Sequence, residues 1–529
     1  MNRAHESETI HSSKRMKRCL MKNVLEMLEQ TAERYPERTA VSDQQTSLTW
    51  AELRRRAGGI GAVLADELEG NQPVVVFAAK RVATLAIQLG VVYAGGFYVP
   101  VSRDQPAERI GRILRRLGRP LVIAADSLRS LVEETGFDGT VLSAEALYAQ
   151  EAGSPDERLR EVRSRASEKD LLYGIFTSGS SGEPKCVSVS HRAVLDFIAH
   201  FTRLFGISAA DRIGNQAPFD FDVSVKDIYS AMATGAELVL IDRKLFSLPA
   251  KLIDYLNERK VTVLTWAVSA LTTVSTLKGL DYDVPKSVRI ILFSGEAMPL
   301  KQLKVWRGAM PGTEFVNLYG PSEITCNCTF YRIPADAPED LDCLPIGKPF
   351  PGRTVRLLDE AGCEVTEPGK PGEICVSGES LAEGYYHDPE RTAKSFVLFE
   401  NAEGRQERMY RTGDLAHFDP SGNLVFEGRK DFQIKLMGHR IELEEIEKAM
   451  TDTDGVAEAC CIFLPETRKI VAFFTGTEDS RQVRMDLVTR LPRYMIPGKF
   501  IRLDRFPLNK NGKKDRNELR RLAIGGRKA

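Results

Sequence analysis

The strongest constraint on this chain is a rhythm: short, wholly apolar runs of strand length recur between segments with helical spacing. "PVVVFAA" is followed by "VATLAIQLGVVYAGG", and the alternation continues through "PLVIAA", "GTVLSA", "LLYGIFTS", "AELVLID", "VTVLTW", "RIILFSG" and "TEFVNLYG". Strands that are apolar on both faces must be covered on both faces, which predicts an α/β protein with largely parallel, buried sheets. Upstream, "NVLEMLEQTAERY" and "WAELRRRAGGIGAVLADEL" read as helices flanking strand-like "TAVSD". After about Pro345 the texture shifts to shorter strands rich in Gly and Pro, "TVRLLDEAG", "GEICVSG" and "NLVFEGR", which predicts a β-rich subdomain over about 345–430. From about Lys430, "ELEEIEKAM", "EACCIFL" and "KIVAFFTG" suggest a compact α+β unit. With 529 residues, too many for one core, the chain divides into a tail (1–20), a large N-terminal core (21–430) and a small C-terminal domain (431–529).

The charge balance is even, 73 basic against 73 acidic side chains, so bulk electrostatics suggests no nucleic-acid partner. The first twenty residues mix both signs and lack a signal-peptide core, and no apolar run is long enough to span a bilayer. A cytoplasmic protein with no membrane association is expected. Nine cysteines, with a C-x-C at Cys326 and Cys328 and an adjacent pair at Cys460 and Cys461, fit neither a disulfide framework nor a paired zinc site.

Three strand candidates run into polar loops: "GIFT" into "SGSSGEPK", "IILF" into "SGE" and "EFVNL" into "YGPSE". Ligands of open parallel sheets gather beyond the carboxyl ends of the strands, so the three loops are expected to face one cleft. The first can wrap an anion: Gly179 and Gly182 permit tight backbone, Thr177, Ser178, Ser180 and Ser181 supply hydroxyls, and Lys185 brings charge. Alone it also reads as a Ser/Gly-rich surface turn, because it lacks the P-loop spacing.

"IFTSGSSGEPK", "NLYGPSE", "YRTGDLAHFDPSGNLVFEGRKDFQIKLMGHRIELEEIE" and "PLNKNGKKDR" occur in an order and spacing that resembles the adenylate-forming ligases, most closely the amino-acid adenylation domains of nonribosomal peptide synthetases. The resemblance covers nearly all the chain beyond its tail. It implies a large N-terminal domain and a small mobile C-terminal one, ATP and Mg2+ as cofactors, and two steps: formation of an acyl-adenylate with pyrophosphate release, then transfer to the phosphopantetheine thiol of a carrier protein. By similarity the loop from Thr177 to Lys185 binds the triphosphate, with Cys186 standing where the family usually has Gly. Tyr319 and Gly320 belong to the adenine segment with Asn317 at its edge, Ser322 replaces the commoner Thr, and Glu323 resembles the magnesium ligand. Asp414 resembles the ribose ligand and Arg429 its companion. Asp431 matches the hinge, and Lys513 the lysine that reaches the reacting carboxylate and α-phosphate, with Lys510 and Lys514 as bystanders. The stretch around Gly438 resembles the surface brought in for the second step.

The same resemblance places Asp222, preceded by Phe221, against a substrate α-ammonium group; a helix-capping Asp is the alternative. Further pocket positions are Val223, Lys226, Thr265, Leu292, Ser294, Leu318, Cys326 and Asn327. An inward Lys226 would suit an acidic substrate side chain, whereas a snorkelling one would leave a small, mildly polar pocket. "NQAPFDFDVSVKDIY" and "LFSGEAMP" also resemble D-alanine:carrier-protein ligases, which makes D-alanine the alternative substrate. The stretch after Lys513 is too short for a carrier domain, so the carrier is expected on another polypeptide. Asp222 argues against an aryl or fatty acyl-CoA ligase, and the presence of Glu323, Asp414 and Lys513 against a non-catalytic binding protein.

Overall fold

A computed structural model describes residues 21–150, 157–179, 182–337, 343–400, 404–510 and 512–525. Two large sheets form its scaffold. The seven-stranded sheet runs Gly384–Tyr385, Lys185–Ser190, Leu171–Thr177, Phe97–Pro100, Pro73–Phe77, Leu121–Ala124, Val141–Ser143. The nine-stranded sheet has a parallel centre of Glu314–Tyr319, Ile290–Ser294, Val263–Ala267, Arg212–Asn215, Glu237–Leu240 and Thr39–Ser42. Helices such as Val82–Tyr93 and Val223–Thr234 are buried almost all round, which explains why their sequences lack a polar stripe.

The expected α/β class holds, but two of the strands that run into polar loops pair antiparallel with the strand that follows, where a largely parallel arrangement was expected. Leu171–Thr177 and Lys185–Ser190, the strands on either side of the Ser/Gly loop, pair antiparallel, with Thr177 opposite Lys185. Glu314–Tyr319 likewise pairs antiparallel with Thr329–Arg332. Periodicity cannot separate these arrangements, because a strand buried on both faces reads alike in either direction.

The β-rich segment is a five-stranded sheet from Arg353 to Arg429. Beyond it come the two-stranded hairpin Gln433–Leu436 and His439–Glu442, then a three-stranded sheet, Val456–Leu464, Lys469–Gly476 and Lys499–Arg502, carrying helices Leu443–Thr451, Ser480–Arg490 and Arg516–Ile524. The apolar residues of this small C-terminal part cluster among themselves, separately from the cores of the large part. Among the described residues Cys186, Cys326, Cys328, Cys363, Cys375, Cys460 and Cys461 are free thiols, and no helix is long and apolar enough to cross a membrane.

Cys186 is fully buried and sits over a glycine: a Cβ on Gly174 would come within 2.7 Å of the Cys186 Sγ. The sheet has thus exchanged bulk at 186 for its absence at 174. Gly174→Ala is expected to lower stability by about 1–3 kcal/mol through overpacking, and Gly174→Ala combined with Cys186→Gly to recover most of it, as read by urea midpoints. Equal midpoints for the single and double variants would refute the pairing.

Candidate active site

Glu323 is the centre of the cleft. It lies in a single 3-10 turn, Ser322–Ile324, directly after the strand that ends at Tyr319. Gly320 lets the chain double back, since a Cβ there would lie 2.5 Å from the Asn327 Cα. Thr325 then takes a positive φ of 56°, rare for a β-branched residue, and is pinned by its hydroxyl donating to the Ser380 carbonyl at 2.7 Å. The Glu323 carboxylate is wholly buried. Its Oε1 accepts from Tyr385 Oη (2.8 Å), Arg440 Nη1 (2.9 Å) and Lys185 Nζ (3.2 Å), and its Oε2 from Arg440 Nη1 (2.8 Å). Burial pushes the carboxyl pKa up, but Arg440 and Lys185 together outweigh it and hold the group well below the usual range. Burial and the neighbouring Arg440 push the Lys185 ammonium down to about 8.

On one side of Glu323, Tyr319 Oη donates to Asp414 Oδ2 at 2.5 Å, and the Arg429 guanidinium bonds the other Asp414 oxygen. Arg429 also grips Asp431 through Nε–Oδ1 and Nη2–Oδ2 contacts of 2.5 and 2.7 Å. Lys435 Nζ lies 5.6 Å from the centre of the Tyr319 ring. Asn317 Nδ2 donates to the Pro345 carbonyl at 2.8 Å.

On the other side is the segment from Phe221 to Lys226. Asp222 is half-buried at the start of helix Val223–Thr234 and makes no side-chain cap, which removes the helix-cap alternative. Burial raises its carboxyl pKa, opposed by the Ser322 hydroxyl and by Lys226. The Cys326 thiol donates to the Asp222 carbonyl at 3.0 Å. Lys226 does not snorkel: it is buried, with Nζ donating to Asn327 Oδ1 at 3.0 Å. Thr265 turns its hydroxyl to Asp227, whose second oxygen accepts from Asn215 Nδ2 at 2.8 Å. Lys80 Nζ in turn reaches the Asn215 carbonyl and side chain and the Gln216 carbonyl, at 2.9–3.1 Å. Leu292 and Leu318 belong to the main apolar core, Ser294 ends its strand buried, and Val223 is half-buried.

The small C-terminal part enters this cleft with its hairpin. Ser178 Oγ donates to the Arg440 carbonyl (2.7 Å) and accepts from the Glu442 N–H (3.1 Å). The Gly438 N–H donates to Glu296 Oε1 at 2.7 Å, and a Cβ on Gly438 would lie 3.7 Å from Phe221 and Ala267. His439 is stacked on Tyr494 at 3.5 Å and meets the Phe221 ring edge-on at 4.7 Å. Buried Arg109 pairs with Glu445, and Arg468 with Glu296, across the same seam. Lys513, by contrast, is exposed, with its N–H bonded to Asn509 Oδ1 at 3.0 Å, and is not brought into the cleft. Thr177 Oγ1 is buried without a partner, while Gly182 closes the loop turn through its N–H to the Gly179 carbonyl at 3.0 Å. Ser180 and Ser181 lie outside the described residues.

The sequence reading brought together Ser178, Lys185, Tyr319, Glu323, Asp222, Asp414 and Arg429, and missed Tyr385, Lys435, Arg440, Lys80 and Asp227. Arg440 stands within the quoted "GHRIE", where its charge was the available signal. Tyr385 had none, being 62 positions from Glu323 and delivered by a two-residue strand beside Lys185–Ser190.

A carboxylate, a lysine-bearing loop and an aromatic–aspartate pair thus converge at strand ends. The chain belongs to the AMP-binding enzymes: the model of that family, "AMP-binding enzyme", matches residues 28–386, and "AMP-binding enzyme C-terminal domain" matches residues 445–513. Its relatives include nonribosomal peptide synthetase proteins, and an o-succinylbenzoate CoA synthetase from Bacillus subtilis shares the fold with a TM-score of 0.82 at 22% identity. It is 31% identical over 506 residues to tyrocidine synthase 1 of Brevibacillus parabrevis, covering 94% of this chain and 45% of that one. The chain therefore spans less than half of that relative. It is 30% identical over 515 residues to zwittermicin A synthase ZmaJ of Bacillus cereus, covering 95% of both. Among solved structures, holo-PA1221, an NRPS protein containing adenylation and PCP domains, superposes with a TM-score of 0.80 at 25% identity, covering 94% of this chain and 84% of that one.

The Glu323 carboxylate, held ionised beside Lys185 and the Ser/Gly loop, is of the type that suits Mg2+, which commonly takes one or two carboxylates and fills its shell with water and substrate phosphates. Among the described residues no cluster of three or more His, Cys, Asp or Glu offers a fuller protein cage.

Because folding lowers the Glu323 pKa, the stability it contributes is complete above its unfolded value near 4.5 and is lost as pH falls towards the folded value. Wild type is expected to lose stability more steeply from about pH 5 to pH 3 than a Glu323→Gln/Arg440→Met double variant. Identical pH slopes in urea unfolding would assign the acid loss to other carboxylates.

Proposed function

We propose that this AMP-binding enzyme uses ATP to convert an amino acid to its aminoacyl-adenylate, releasing pyrophosphate, and then transfers the aminoacyl group to the phosphopantetheine thiol of a separate carrier protein. The single observation that carries an amino acid over other acids is Asp222, a half-buried carboxylate in the cleft that makes no helix cap. Its neighbouring cation, Lys226, spends its hydrogen bond on Asn327, so a direct cationic partner is open to a substrate α-ammonium.

In the first step a substrate carboxylate oxygen attacks the α-phosphorus and the bond to the β-phosphate oxygen breaks. The loop from Thr177 to Lys185 holds the departing phosphates with hydroxyl, N–H and ammonium donors, Tyr319 offers its face to adenine, and Asp414 accepts from the ribose hydroxyls. Mg2+ bound at Glu323 would neutralise charge on the phosphate oxygens. Lys513 is the cation for the reacting carboxylate and α-phosphate, and it reaches them by rotation of the 431–529 domain about Asp431. The arrangement seen here, with Gly438 against Phe221 and Ala267 and Lys513 outside, is the one that serves the second step. There the carrier thiol gives up its proton, its sulfur bonds the acyl carbon, and AMP leaves.

Lys226 supports an acidic side chain, glutamate or aspartate. With Asp222 taken by the substrate amine, the buried ammonium keeps Asp227 nearby and Asn327 as its hydrogen-bond partner, and a substrate carboxylate adds a direct anionic partner that a methyl group cannot. PA1221, an NRPS protein containing adenylation and PCP domains, supports the reading of an adenylation enzyme that works with a carrier.

Pyrophosphate release with ATP and Mg2+ across the proteinogenic amino acids, D-alanine, D-glutamate and several aryl and fatty acids is expected to peak at an acidic amino acid. Asp222→Ala should reduce it by at least about 100-fold, the scale of losing a desolvated charge pair. Lys226→Met should move the preference to an apolar amino acid. A response to aryl or fatty acids alone would overturn the amino-acid reading, and a peak at D-alanine would overturn the acidic one. Lys513→Ala should abolish adenylate formation while transfer from preformed adenylate persists. Equal loss of both would refute the rotation.

A further inference from the structure

Behind Lys226 runs a chain of polar contacts that neither proposed step uses. Lys80, in the loop after strand Pro73–Phe77, gives three hydrogen bonds to the carboxyl end of strand Arg212–Asn215. Its Nζ lies 3.1 Å from both the carbonyl and Oδ1 of Asn215, and 2.9 Å from the Gln216 carbonyl. The bond to Oδ1 fixes the Asn215 amide: its oxygen faces the ammonium, so Nδ2 is turned to Asp227 Oδ2, at 2.8 Å. The other Asp227 oxygen accepts from the Thr265 hydroxyl. Both oxygens of Asp227 are thus bonded to groups held by neighbouring parallel strands, Arg212–Asn215 and Val263–Ala267.

Asp227 follows Lys226 directly on helix Val223–Thr234, and both side chains are buried. Opposite charges buried side by side gain by pairing, and each of these feels the other's charge. Yet among the described residues no hydrogen bond joins them: the Lys226 ammonium spends one of its three hydrogens on Asn327 Oδ1. What keeps the pair apart is the prior engagement of Asp227 with Thr265 and Asn215, and Asn215 is oriented by Lys80.

We propose that Lys80 is a positioning residue for substrate selection: by locking Asn215 onto Asp227 it keeps that acid from capturing the Lys226 ammonium, which stays open to the side-chain carboxylate of the substrate. This rests on the reading of Lys226 as the group that recognises an acidic substrate. Without Lys80 the Asn215 amide is free to turn, and Asp227 loses a donor. A buried carboxylate that has lost a donor takes the nearest cation, and that cation is Lys226. An acidic substrate then has to compete with an internal carboxylate for its partner, whereas the corresponding amide, which never had an ion pair to lose, is affected much less.

The test uses the whole protein and compares pyrophosphate release with glutamate against glutamine, and with aspartate against asparagine. Lys80→Met is expected to lower the preference for the acid over its amide by at least about tenfold, through KM rather than kcat. Lys80→Met/Asp227→Asn, which removes the competing charge as well, should return the preference to within about threefold of wild type. A loss that falls equally on acid and amide, or a double variant no better than the single one, overturns the proposal. Asp227→Asn with Lys80 in place should keep the acid preference; its loss there overturns the proposal even if no Lys80 variant folds. A crystal structure of Lys80→Met without substrate gives a readout that needs no activity: Lys226 Nζ is expected to have left Asn327 for Asp227. If Lys226 has moved but the wild type activates no acidic amino acid, the substrate reading falls and the link through Lys80 stands. An acidic preference in wild type, with Lys226 still on Asn327 in the variant, sinks the Lys80 link alone.

Discussion

A wholly buried carboxylate must be neutralised where it stands, and at Glu323 that requirement is met by chain segments far apart in sequence. Lys185 arrives on the strand after the Ser/Gly loop, Tyr385 on a two-residue edge strand, and Arg440 on the hairpin of the small part. Each is held by sheet pairing on its own element, so the position of one charge links the seven-stranded sheet, the end of the nine-stranded sheet and the C-terminal part. Losing one partner of such a group is costly, whereas exchanging one cation for another is not. A site that needs a cation in every state, but not the same one, is well suited to a reaction in which charge enters and leaves.

Much of the scaffold was legible from periodicity. The uniformly apolar runs became buried strands with nearly the expected limits, for example Pro73–Phe77 and Ile290–Ser294. Strand direction was not legible: "LLYGIFTS" reads the same whether its neighbour runs parallel or antiparallel, and the antiparallel pairing on either side of the Ser/Gly loop emerged only from register. The compensation between Cys186 and Gly174 was invisible for the same reason, since it depends on which residues stand side by side on adjacent strands.

The cleft was legible where residues of the quoted motifs converge in the structure, as with Tyr319, Glu323 and Asp414. It was not legible where burial alone assigns the role. Asp227 and Lys80 are ordinary helix and loop charges in the sequence, and only the fold places Lys80 on Asn215, and Asn215 on Asp227, behind Lys226. Lys513 shows the opposite limit. Its motif is plain, but a motif does not say which of two arrangements a chain adopts, and here that lysine is outside the cleft while Arg440 is in it.

The turn after Glu323 also bears on how this enzyme can be redesigned. Thr325 and Cys326 both have positive φ, 56° and 71°, and Cys326 forms part of the wall around Asp222. That backbone shape narrows the alphabet at position 326: Gly and Asn fit it readily, whereas Val or Ile would have to work against it. Selection for new substrates therefore has its freest positions on helix Val223–Thr234, where the backbone is ordinary, and its most restricted ones on the turn that also aims Glu323. On the proposed reading, substrate range and metal geometry share a few residues of chain, so libraries that randomise the turn would sample two properties at once.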